Sequence, residues 1–291
     1  MPRNIKQGFD EMHKKISTSK VETVQAKKHR ASIESCLKNN FSLIRFTRIG
    51  SFGNGTNISE YSDVDYLACL PTKMLTETSP PSLLKVKDAL NNRFHSTNIK
   101  ISSPAVVCPF GTRKSEDTEV VVADYIGLEN GFKVYEIADS TDGGWMQVSP
   151  DAHNAYVARV NDKHDGKVKP LIRFIKAWKY YADVPISSFY LEMRVAKYAD
   201  GETYIDYSVD VKQILSMLNE NKLAKMQDPT GVDGYIDACK TDAFKQDALS
   251  KLSTATTRAK KAEVAKEKDD IKTAFYWWNK FYNNKFPSYY L

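Results

Sequence analysis

The stretch "IGSFGNGTNISEYSDVDYLACL", residues 49–70, carries two features that folding alone does not ask for. One is a Gly-Ser step, Gly50-Ser51, followed by Gly53, Asn54, Gly55 and Thr56. The other is a pair of carboxylates, Asp63 and Asp65, at the head of the apolar run "VDYLACL". Small polar residues between a strand and a helix let the backbone approach a phosphate closely, and the amides and the serine hydroxyl can then bind its oxygens. On a strand, residues i and i+2 share a face, so the two aspartates converge. Like charges that close repel, and a hard cation such as Mg²⁺ relieves the repulsion with carboxylate and phosphate oxygens as ligands. An ordinary turn and a solvated strand edge would explain each half separately. Their adjacency favours one apparatus, because the metal of a nucleoside triphosphate sits beside its phosphates.

Working outward, residues 5–39 read as one long helix, with Ile5, Phe9, Met12 and Ile16 at helical spacing and Val21, Val24, Ile33 and Leu37 continuing it after the "STS" interruption. "FSLIRFTRIG" alternates as a strand, and "VDYLACL" follows as a second. "ETSPPSLLKVKDALNNRF" reads as a turn and a helix. "NIKISSPAVVC", "TEVVVADYI" and "GFKVYEI" are rich in β-branched residues and read as strands. From about residue 150 the pattern becomes helical: Ser149 and Pro150 suit an N-cap and a first-turn proline. Leu171, Ile172, Phe174, Ile175 and Trp178 then recur at helical spacing, and residues 185–222 and 235–282 continue mostly helical.

The bulk numbers narrow the class. The 291 residues are 42% hydrophobic and 27% charged, ordinary for a globular chain with a real core. No apolar run approaches the roughly 20 residues of a membrane span, and "MPRNIKQGFDEMHKK" lacks the apolar stretch of a signal peptide. A cytoplasmic protein is expected. The net charge of +6, 42 basic against 36 acidic residues, suits a polyphosphate ligand but does not by itself indicate nucleic-acid binding. "RAKKAEVAKEKDD", residues 258–270, mixes both signs and reads as a solvated helix face. Cys36, Cys69, Cys108 and Cys239 form no CxxC pair, and His153 and His164 have no metal-site spacing, so structural roles are expected for them. Trp145, Trp178, Trp277 and Trp278 are expected in the core.

"GSFGNGT…SDVD", with strands on either side, resembles the DNA polymerase β-like nucleotidyltransferases, whose signature is Gly-Ser and then Asp-x-Asp. More closely it is similar to the oligoadenylate synthase and cyclic GMP-AMP synthase branch, including the bacterial CD-NTases of antiphage signalling. "GGWMQVSPDAH" (143–153), "LIRFIKAWK", "ISSFYLEM" and "WWNKFYNNKFP" resemble later segments of the bacterial members, so the likeness covers most of the chain. It implies an α+β fold: a polymerase β-like core of mixed sheet and helices over residues 1–150, a helical lobe over 151–291, and a long N-terminal helix spanning both.

The resemblance also implies a third carboxylate on a neighbouring strand, ahead of apolar residues and an alanine. "EVVVA" offers Glu119 as that acid, a glutamate where the family has aspartate. Asp124 lies on the same run but on the opposite face by strand parity, so Glu119 is preferred. By the same resemblance Asp63, Asp65 and Glu119 are catalytic and ligate two Mg²⁺ ions, for which Mn²⁺ can substitute. Gly50 and Ser51 hold the triphosphate, Lys176 and Ser188 contact it, and Phe189 stacks on a base, with Lys179 and Tyr190 taking a neighbour's place if the register slips.

The implied reaction joins nucleoside triphosphates (ATP, GTP or pyrimidine NTPs) into a cyclic di- or oligonucleotide that a downstream effector binds. The rivals are template-independent addition of nucleotides to RNA or a small acceptor, and an inactive nucleotide-binding scaffold. Zinc-mediated DNA sensing would need clustered Cys and His, which the sequence lacks, and a monomer is expected.

Overall fold

A computed structural model describes residues 2–17, 24–59, 61, 63–111, 116–140, 142–232 and 234–290. The N-terminal periodicity forms two helices, α1 (Ile5–Ile16) and α2 (Val24–Phe41), and the join expected to continue them lies outside the described residues. Asn4 caps α1 by accepting the amide of Gln7 at 2.9 Å.

Strand β1 (Arg45–Arg48) leads through the five-residue helix α3 (Gly50–Asn54) to β2 (Val64–Leu70). After helix α4 (Ser79–Arg93), the run expected to be a single strand is a hairpin of β3 (Lys100–Ser102) and β4 (Ala105–Phe110), because Pro104 splits it. The long β5 (Glu116–Glu129) follows, then β6 (Phe132–Ala138) and β7 (Trp145–Val148). The sheet order is β1-β2-β5-β4-β3, with β6 beside β5 and β7 beside β6. Among the described residues only the β2–β5 pairing is parallel, which makes the sheet mixed. Where they pair, Tyr66–Leu70 and Val120–Ala123 are unbroken buried apolar runs, as strand segments covered on both faces must be.

Side-chain parity then divides the faces. Ala68, Leu70, Val120 and Val122 pack under α2 and α4 with Ile33, Leu37, Leu83 and Leu90. Leu67, Cys69 and Ala123 point the other way, toward Tyr135 and Val148. Asp65 and Glu119 share the parity of this second face.

The rest is helical: α5 (Pro150–Lys163), α6 (Val168–Tyr181), α7 (Ser188–Gly201), α8 (Tyr207–Glu220), α9 (Asp242–Glu267) and α10 (Ile271–Phe281). Ser149 caps α5 as expected, accepting the amide of Ala152 at 3.3 Å. Residues 224–241, rich in Gly, Pro and Asp, instead hold a two-stranded ribbon of β8 (Met226–Gln227) and β9 (Tyr235–Ile236). Helix α1 belongs to this second core: Phe9 lies 5.0 Å from the rings of both Phe174 and Trp278. Helix α2 packs instead on the sheet's helical cover. Among the described residues no helix is long and apolar enough to cross a membrane.

Candidate active site

The turn after β1 is built against β2. The amide of Ile49 donates to the carbonyl of Asp65 at 3.0 Å, and that of Thr56 to the carbonyl of Ser51 at 2.8 Å. Gly50 has φ +60°, a backbone conformation that favours glycine. A Cβ there would lie 2.2 Å from Asp65 Oδ2, so the carboxylate occupies the space a side chain would take.

The parallel register sets Asp65 opposite Glu119. Their carboxyl groups are hydrogen-bonded to each other. Asp65 is pushed up to about 8 by burial, then by the charges of Glu119 and Asp63, with Lys176 opposing. Burial, then Asp63, also raises Glu119. Near neutral pH the pair therefore keeps a proton. Asp124 lies five residues further, opposite Leu70, where its carboxylate accepts the Thr72 hydroxyl at 3.0 Å. The pair beside the Gly50 turn is Asp65 and Glu119. Asp63 is exposed and acts on both through its field.

Among the described residues no three His, Cys, Asp or Glu side chains, the expected Asp63, Asp65 and Glu119 included, are grouped so that they could hold a metal ion. What does fit a divalent cation is the donor chemistry: hard oxygen donors that hold a proton because their negative charges face one another.

The helical lobe supplies the facing wall. Gly50, Ser51, Tyr61, Asp63 and Asp65 border a cleft of about 380 Å³ together with Lys176, Lys179 and Tyr180 of α6 and Ser188, Phe189 and Glu192 of α7. Lys179 Nζ donates to Ser188 Oγ at 2.5 Å, and Tyr180 lies 3.3 Å from the same hydroxyl. Burial, then the charge of Lys176, lowers Lys179 to about 8. Phe189 is 36% exposed and meets the His153 ring edge-on at 4.8 Å. A half-open aromatic face over a polar cleft can take a nucleobase.

Gly50, Ser51, Asp63, Asp65, Lys176, Ser188 and Phe189 line this cleft and Glu119 is bonded to Asp65 at its rim, whereas Tyr190 is buried with its hydroxyl donating to the Ala224 carbonyl at 2.7 Å, and the two lysines differ from expectation in manner. Lys176 is fully buried, 3.3 Å from Glu192 Oε2 and 3.4 Å from Thr56 Oγ1, so its charge is already engaged. Lys179 stands in the more open position. The sequence reading passed over Glu192, whose signal is an acid within the apolar face of α7, and Asn54 and Thr56, which bond to it. His153, as expected, is structural, with Nε2 3.3 Å from Asp228 Oδ2. Trp178 and Trp278 are core, whereas Trp145 and Trp277 are only partly buried.

The family model of the Second Messenger Oligonucleotide or Dinucleotide Synthetase domain (SMODS) matches residues 4–161, more than half of the 291. A probable cyclic nucleotide synthase of Bacillus cereus is 24% identical over 253 residues, 81% of this chain and 75% of that protein. Among solved structures, CdnC of E. coli MS115-1 with ATP has a TM-score of 0.75 at 18% identity, covering 97% of this chain and 98% of that one. The CdnE cyclic dinucleotide synthase of Elizabethkingia meningoseptica with GTP and Apcpp has a TM-score of 0.65 at 17% identity, covering 85% and 96%. The α+β fold is theirs, and the matched segment contains both Asp65 on β2 and Glu119 on β5. The chain belongs to the Second Messenger Oligonucleotide or Dinucleotide Synthetase family, and it is a nucleotidyltransferase.

Proposed function

We propose that this protein joins nucleoside triphosphates into a cyclic di- or oligonucleotide second messenger, releasing pyrophosphate, as a cytoplasmic monomer in antiphage defence. The observation that carries the reading is the Asp65–Glu119 carboxyl pair beside the Gly50–Ser51 turn, in a cleft walled by Lys179, Ser188 and Phe189.

Asp63, Asp65 and Glu119 would hold magnesium, as two ions, and it would supply the positive charge that the attacking and leaving oxygens need, with manganese able to substitute. Gly50 and Ser51 hold the triphosphate so that a ribose hydroxyl attacks its α-phosphorus in line. The new O–P bond forms as the bond to the β-phosphate oxygen breaks. Glu119 accepts the hydroxyl proton. Lys179 and Ser188 bind the departing pyrophosphate, with Lys176 behind them, and Phe189 stacks on a base. A second round on the linear product closes the ring, which a separate effector then binds.

Incubation of the purified protein with labelled NTPs and Mg²⁺ tests this. A small, phosphatase-resistant product supports cyclisation. Label on RNA or a small acceptor, or nucleotide binding without product, overturns it.

A further inference from the structure

Glu192 is 6% exposed and sits among Tyr190, Leu191, Met193 and Val195, a setting where a carboxylate must be fully partnered. It accepts from three donors: Asn54 Nδ2, Thr56 Oγ1 at 2.5 Å and Lys176 Nζ at 3.3 Å. Two of them belong to the turn that follows Gly50 and Ser51, more than 130 positions earlier in the chain. One helical turn before Lys176, Arg173 donates Nη2 to the Gly55 carbonyl at 2.7 Å and Nε to the Asn57 carbonyl at 3.2 Å. Residues 54–57 are thus all gripped by side chains of α6 and α7. The front of the same turn faces the cleft.

We infer that Glu192 is a positioning residue: through Asn54 and Thr56 it fixes the back of the Gly50–Thr56 turn, and so the phosphate-binding groups of the sheet lobe, against the lobe carrying Lys179, Ser188 and Phe189. Lys176 is its counter-ion and completes the clamp. A turn rich in glycine is costly to order, and charge-assisted bonds from a rigid helix offset that cost before substrate arrives. The inference rests on the reading of Gly50 and Ser51 as triphosphate ligands.

Two variants of the full-length protein test it. In Lys176→Met/Glu192→Met the buried charges leave together, and in Thr56→Val the ion pair stays while one hydroxyl is lost. Amide hydrogen exchange is followed without nucleotide or metal at Gly53 and Thr56, which donate to Ile49 and Ser51. In both variants these amides should exchange about tenfold faster, as loss of a charge-assisted bond implies, while β2 amides stay protected. In Thr56→Val, KM for NTP should rise about tenfold with kcat within about threefold, the pattern of lost ground-state positioning. Unchanged exchange at Gly53 and Thr56 in either variant overturns the inference and leaves Glu192 as a counter-ion alone. If the parent makes no nucleotide product the proposed reaction falls, while the exchange result still decides whether the clamp exists. If the double variant does not fold, Thr56→Val decides.

Discussion

Two carboxylate sites lie on opposite walls of one cleft, and they are finished differently. On the helical wall, Glu192 has its cation built in, with Lys176 at 3.3 Å and two further donors on its oxygens. On the sheet wall, Asp65 and Glu119 meet each other, with Asp63 adding a third negative charge. The first arrangement is closed and holds the fold. The second sets acids against one another, with lysines acting on them only through their fields, and mutually repelling acids are where a cation has free energy to gain.

The contrast can be broken from either side. Asp65→Asn or Glu119→Gln should lower product formation on the order of 10³-fold or more without lowering Tm in chelator; a large loss of Tm would mean that this pair also holds the fold. Lys176→Met should strike stability, costing about 3–5 kcal/mol of unfolding free energy in urea because Glu192 loses its counter-ion. An unfolding midpoint equal to the parent's would erase the distinction between the walls.

Gly50→Ala places a Cβ at 2.2 Å from Asp65 Oδ2 on a left-handed backbone, and about a 10²-fold loss of kcat/KM is expected from a displaced carboxylate. Phe189→Ala should raise KM for NTP about tenfold, one stacking contact, with Tm unchanged.

The pH dependence sharpens the comparison most. Asp65 in the folded protein titrates at about 8, against 3.8 ordinarily, so the native state binds a proton that the unfolded chain gives up. That contribution is fully present below the unfolded value and is lost as pH rises through the folded one. In chelator, Tm should therefore fall as pH rises between about 4 and 8, Asp65→Asn should flatten the slope, and Mg²⁺ should restore Tm most at the alkaline end.

How much of this was legible in the sequence follows the range of each interaction. The i, i+2 aspartates, the Gly-Ser step and the acid heading "EVVVA" are local patterns, and a local pattern survives in one dimension. That Asp65 lies opposite Glu119 and not Asp124 is a matter of register between strands, which parity narrowed and pairing decided. Both α1 and α2 carry apolar residues at helical spacing, and nothing in that spacing says that Phe9 joins one core and Ile33 another. Pro104 was in plain view, yet the β-branched residues around it concealed a hairpin. Glu192 was hidden most thoroughly: on paper it is one acid in a helix, and its partners on the turn are remote in sequence.

The parallel pairing of β2 with β5 has a kinetic consequence. Asp65 and Glu119 stand 54 positions apart (119 − 65), and no hairpin can bring them together, because parallel strands need the intervening α4, β3 and β4 to be accommodated first. Non-local contacts of this kind form slowly. During refolding, helix signal should therefore return ahead of catalytic competence, and the delay between the two would time the closure of a single strand pair.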